Sequence, residues 1–203
     1  MGKIFCLMGK SASGKDTIFR RLLENKELAL KTLVPYTTRP IRDGEKNGRE
    51  YFFTDIEGLN ALRDAGKVIE ERVYQTWHGP WHYFTVNDGQ IHLESGNYLQ
   101  IGTLEAYVSI RDYFGEETVV PLFIDLDDGE RLQRALDREK AQEKPKYEEM
   151  CRRFLGDAED FREEKIAAAG IGRRFYNNDL EECLDELTGF IVSNIAPNGS
   201  VEP

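Results

Sequence analysis

The 203-residue chain has three cysteines, three histidines and no apolar stretch approaching the ~20 residues that a membrane helix requires. Cys6, Cys151 and Cys183 are odd in number and widely separated. They offer neither a metal-ligand spacing nor a disulfide framework, and they read as reduced thiols. His78, His82 and His92 have no metal-binding spacing either. Positive charge is short as well: 27 Lys and Arg against 37 Asp and Glu leave a formal charge of −10. That balance argues against general nucleic-acid binding, which needs a concentrated basic surface. It leaves room for a small anionic substrate, because a local arginine cluster reverses the field inside a cleft. The opening "GKIFCLMG" is too short for the apolar segment of a secretion signal and lacks a small-residue cleavage site. It reads as a buried strand, and the protein as cytoplasmic with no membrane partner.

What is present suffices for one sizeable core, with 40% apolar residues. The apolar run 3–8 ends on a glycine loop, and Lys15 to Glu24 then has helical character. "NYLQIG" (97–102) and "TVVPLFIDL" (118–126) are two further strands, each followed by a helix. "AQEKPK" (141–146) reads as a mobile connection. After it, Tyr147, Met150, Cys151, Phe154, Leu155, Ala158 and Phe161 recur at helical spacing as one apolar face. "RRFYNN" (173–178) reads as a last strand, and Leu180 to Ser193 as a closing helix. Buried strands alternating with helices predict an α/β fold with a parallel sheet flanked by helices. Residues 35–86 break the rhythm with short strand-like pieces and one short helix near 57–65. We read one domain over 1–193, with its core at 1–34 and 87–193, an insertion at 35–86, a short lid at about 138–150 and a disordered tail at 194–203.

"GKSASGKDT" (9–17) has the spacing of a phosphate-binding loop, set between a strand and a helix as that motif requires. Gly9 and Gly14 permit the tight backbone, Ser11, Ala12 and Ser13 carry the amides between them, and Lys15 places a cation on the outer phosphates. The magnesium-binding serine or threonine of the pattern is replaced by Asp16. A carboxylate ~4–5 Å from a triphosphate repels it by roughly 3–4 kcal/mol at an effective dielectric near 20. An intervening Mg²⁺ reverses that sign, so Asp16 is expected to hold magnesium, directly or through water. Thr17 lies one step further round the helix and does not simply replace it.

In "YTTRPIRDGEKNGREYFF" (36–53), Arg39 and Arg42 stand three apart beside threonines, with Tyr51 a short loop away. Arginine forks and a phenol hydroxyl suit a second phosphate. Together the loop and this T-T-R-x-x-R-x-G-E-x-x-G-x-x-Y-x-F segment strongly resemble the guanylate kinase family, over roughly residues 3–193. The resemblance implies a P-loop NTPase-type fold with a nucleoside-monophosphate-binding insertion and a lid. It implies transfer of the ATP γ-phosphate to GMP or dGMP, with Mg²⁺ accompanying ATP. By the resemblance, Arg39, Arg42 and Tyr51 grip the GMP phosphate, joined by Tyr83, while Glu70 and Thr85 contact the base. Arg134, Arg138 and Arg153 resemble the lid and helix arginines that hold the transferring phosphate, and Asn177 the asparagine near the ATP base. Lys15, Arg39, Arg138 and Arg153 would then carry the catalytic charge.

Departures from the family pattern fall at base and metal positions. Pro35 stands where a guanine-reading serine is usual, Gln100 and Gly102 replace two aspartates, and Phe84 replaces a glycine. Two other readings stand beside this one. One is a kinase of ribose 1,5-bisphosphate, whose members share the Asp after the loop lysine but lack the full R-x-x-R segment. The other is a catalytically silent guanylate-kinase-like module that binds protein partners. The sequence does not choose between a monomer and a homodimer.

Overall fold

Five successive buried side chains, Ile4–Met8, make a strand that both faces of a sheet must cover, and helices on the two sides do so. The computed structural model describes residues 1–76 and 79–195. In chain order the elements are β1 (Ile4–Met8), α1 (Lys15–Glu24), β2 (Lys31–Thr32), β3 (Tyr36–Thr37), β4 (Phe52–Phe53), α2 (Ile56–Asp64), β5 (Val68–Thr76), β6 (Gly79–Val86), β7 (Tyr98–Ile101), α3 (Leu104–Phe114), β8 (Val119–Asp125), α4 (Asp128–Lys140), α5 (Tyr147–Asp160), α6 (Glu163–Ala168), β9 (Arg174–Tyr176) and α7 (Leu180–Ile195).

The larger sheet is parallel throughout, in the order β2-β7-β1-β8-β9. Phe5 and Leu7 on one face pack with Ile18, Leu22, Leu187 and Ile191 of α1 and α7. Ile4, Cys6 and Met8 on the other pack with Tyr107, Ile110 and Ile166 of α3 and α6. The smaller sheet runs β4-β3-β6-β5 and is mixed, with β3–β4 parallel and the other pairs antiparallel. Its own small core contains Leu59, Phe84 and Val86. Chain reversal from β1 to its neighbours on opposite sides, β7 and β8, opens a crevice at the carboxyl ends of the parallel strands. The phosphate-type loop and the small sheet both border it.

The structure departs from the sequence reading at several elements. The two-residue edge strand β2 and the short helix α6 are additional to the elements expected from the sequence. The apolar stripe on α5 is not a packed face: no residue of that helix is fully buried, and Leu155 is 70% exposed. The stripe ends in Phe161, which alone reaches the core and packs on Phe123. Residues 138–150 comprise the end of α4, the start of α5 and the connection 141–146 between them. The closing helix runs to Ile195, and the rest of the expected tail, like His78, lies outside the described residues.

Candidate active site

The loop between β1 and α1 has a backbone that few sequences permit. Gly9 is at φ +153°, and a Cβ there would stand 2.5 Å from the Ile124 carbonyl oxygen. Gly14 is at φ +89°, where a Cβ would meet Asn177 Nδ2 at 2.1 Å. Between them Ala12 adopts φ +63°, a left-handed conformation that L side chains rarely take. Thr17 and Ile18 donate their amides to the Gly14 carbonyl at 3.0 and 3.1 Å, but those of Lys15 and Asp16 find no acceptor among the described residues. A helix start with free amides and no side-chain cap is an anion seat. The Ser13 hydroxyl, fully buried, also has no partner among the described residues.

Asn177 lies beneath this loop. It is 3% exposed, its Nδ2 donates to the Ser13 carbonyl at 2.7 Å, and its own carbonyl accepts from Arg134 Nη2 at 3.1 Å. Asn177 is thus bonded to the loop backbone and Arg134 to Asn177. Arg131, which sequence reasoning missed, supports the loop from the other side. It is 1% exposed, stacks 4.7 Å from the Phe154 ring, and donates to the Ser11 carbonyl at 2.9 Å and to Asp128 at 2.8 Å. Its spacing before Arg134 and Arg138, on one helical face, was a usable signal. Asp157 was missed too. Its Oδ2 accepts the Ser11 amide at 2.7 Å, so a carboxylate holds one of the amides that such a loop offers to phosphate.

Lys15 stands among cations. Burial first of all, then Arg153 and Arg138, push its pKa below the ordinary lysine value, against the opposing pull of Asp16 and Asp157. Arg153 reaches the Ser11 hydroxyl at 3.2 Å. Arg42, Arg138 and Arg153 converge on one cavity of ≈ 410 Å³ with Ser11 at its edge. Asp16 is exposed in the first turn of α1.

A second, larger cleft of ≈ 490 Å³ faces the small sheet. Gly9, Ser11, Lys15 and Arg153 line one side, and Tyr51, Arg72, Tyr74 and Tyr83 the other, with Pro35 and Gly102 between. Phe84, on the opposite face of β6 from Tyr83 and Thr85, is fully buried and stacks on Tyr36 at 5.4 Å, so it does not intrude. Gln100 is buried with its amide on Cys6 Sγ at 3.1 Å. Glu70 and Thr85 are 5% and 3% exposed and bonded to each other at 2.7 Å; neither lines the cleft. Arg72 covers them.

Arg39 is 4% exposed and lines neither cavity. Its fork is bidentate to Glu45 at 2.7 and 2.5 Å and lies 5.0 Å over the Tyr51 ring. This pairing, with a bond from the Arg42 amide, holds the Glu45 carboxyl near a pKa of about 2. Glu45 thus fixes Arg39 and the turn that carries Arg42. Glu45→Gln is expected to raise the acceptor KM about tenfold through misplacement of these groups, with the ATP KM unchanged; initial rates against each substrate check it.

These features have counterparts in known proteins. The guanylate kinase family model matches residues 1–80. A guanylate kinase of Oleidesulfovibrio alaskensis is 31% identical over 199 residues, 97% of this chain and 90% of that one. A guanylate kinase of Porphyromonas gingivalis is 28% identical over 97% of this chain and all of its own length. The crystal structure of guanylate kinase from Anaplasma phagocytophilum shares the fold, with a TM-score of 0.64 at 21% identity over 97% of this chain and 88% of that one. The 31% identity with the Oleidesulfovibrio protein, sustained over nearly the full length of both chains and joined to the loop and the arginine-rich segment at their family spacing, places this chain in the guanylate kinase family.

Proposed function

We propose that this protein transfers the γ-phosphate of ATP to GMP, giving ADP and GDP. The observation that carries this reading is the shared cleft: the phosphate loop with Lys15 faces Tyr51 and Tyr83 of the small sheet across one opening. An oxygen of the acceptor phosphate attacks the γ-phosphorus in line as the bond to the β,γ-bridging oxygen breaks, and the leaving group is ADP. Such a transition state needs alignment and charge neutralisation more than covalent chemistry. The loop amides and Lys15 seat the donor phosphates. Arg138 and Arg153, already close enough to Lys15 to disfavour its charge, converge on the transferring group. Arg42 and Tyr51 hold the acceptor phosphate, with Arg39 setting their frame through Glu45 and the Tyr51 ring.

Asp16 supplies a hard oxygen donor in the first turn of α1, and no group of three His, Cys, Asp or Glu converges among the described residues. That donor set fits Mg²⁺, which is held by one or two carboxylates together with substrate phosphates rather than by an all-protein cage. When bound, the ion neutralises phosphate charge.

ADP formation with GMP, dGMP, AMP, UMP, CMP and ribose 1,5-bisphosphate offered separately tests the reading. A clear preference for GMP or dGMP is expected. Preference for the sugar bisphosphate, or silence with every acceptor despite ATP binding, would replace it with the sugar-phosphate kinase or the binding module.

A further inference from the structure

Building on the GMP reading, we infer that Arg72 is a specificity-determining residue that reads the O6/N7 edge of guanine. Glu70 is poorly placed to read the base alone. Its carboxylate accepts from Thr85 Oγ1 at 2.7 Å and from Arg72 Nε and Nη2 at 3.0 and 3.2 Å, and its side chain is 2% exposed. The group presented to the cleft is the arginine, which lines it while Glu70 does not.

A guanidinium has five N–H bonds in a plane. Glu70 takes the Nε–H and one Nη2–H, which fixes the plane and leaves the Nη1/Nη2 edge as a second parallel fork. That edge has no partner among the described residues. Two parallel donors match the adjacent O6 and N7 acceptors of guanine, the commonest specific arginine–base pairing. They do not match adenine, which offers an acceptor at N7 but a donor amine beside it. Pro35 lines the same cleft and has neither an N–H nor a hydroxyl to offer O6. Tyr74 and Tyr83 border the same space, and their rings give the base an apolar surface. The alternation of strand side chains puts Glu70, Arg72 and Tyr74 on one face of β5, opposite Thr85, Tyr83 and Trp81 of β6.

The test compares GMP with 7-deaza-GMP, in which a C–H replaces N7, and with AMP. For the unaltered protein, kcat/KM is expected to fall about tenfold with 7-deaza-GMP, the loss of one half of a bidentate pair. Arg72→Met should reduce the 7-deaza penalty to less than about twofold and lower the GMP-over-AMP preference about 10- to 100-fold. A purely structural role for Arg72, as neutraliser of Glu70, would weaken all three acceptors alike and leave their ratios unchanged. Because the 7-deaza comparison needs no substitution, it stands even if Arg72→Met folds poorly. Equal rates with GMP and 7-deaza-GMP in the unaltered protein would overturn the inference while leaving GMP phosphorylation intact. Absence of GMP phosphorylation, with turnover of another acceptor, would remove the functional reading and this inference together.

Discussion

Replacing Lys15 with methionine is expected to lower kcat about 10²- to 10³-fold, the effect of removing one preorganised positive group from a developing phosphoryl charge. Stability should not fall with it. In the free protein the Lys15 charge is disfavoured by burial and by Arg153 and Arg138, so an uncharged side chain of similar length relieves a cost. The signs are separable by pH. The folded pKa lies below the unfolded value of 10.5, so between the two the unfolded chain binds more protons, and this group's contribution to stability rises with pH there. Triphosphate reverses the shift by favouring the charged form, so ATP binding takes up a proton above the free-state pKa. The ATP Kd should then rise by up to about tenfold per pH unit in that alkaline range, where ATP itself is fully ionised. Lys15→Met should abolish that slope. Calorimetric titration of both proteins checks it; an unchanged slope in the variant would assign the proton to another group.

Gly14→Ala is the second large effect, and it acts through geometry. A left-handed backbone costs an L-residue about 1–2 kcal/mol, and loss of a buried hydrogen bond about 1 more. Both apply, because the new Cβ would overlap Asn177 Nδ2, the donor to the Ser13 carbonyl. We expect about 2–3 kcal/mol of destabilisation and, because the loop must shift by a sizeable fraction of an ångström, roughly 10²-fold weaker turnover. Asn177→Ala removes the obstruction but orphans the Ser13 carbonyl. The double variant should therefore be more stable than the sum of the single losses, by about 1 kcal/mol. Urea denaturation of the four proteins measures the coupling. Strict additivity would mean that the loop avoids Asn177 by another route.

Much of the fold was legible because it rests on local rules. The buried run at 4–8, the glycine loop and the helix from Lys15 follow from apolar runs and turn chemistry. The arginine-rich segment at 36–53 was legible as a phosphate-recognition motif because its side chains sit close together in the chain. The α5 stripe misled: helical spacing says which residues share a face, but nothing about whether another element covers that face.

Other functional residues had partial signals that sequence alone did not rank. Arg72 follows Glu70 by two and so shares its strand face; Asp157 follows Arg153 by four on a helix. What those periods omit is the partner. That Arg39 is bound by Glu45, that Arg72 is bound by Glu70, and that Asp157 takes the Ser11 amide are contacts with particular donors and acceptors. The last of these joins residues 146 positions apart. By itself the sequence determined the parallel α/β framework, the phosphate loop and the cations available to it, because these depend on residue type and near-neighbour spacing. Only the tertiary structure decided which of those charges face the cleft and which are already paired, because burial and hydrogen-bond geometry arise when distant elements pack.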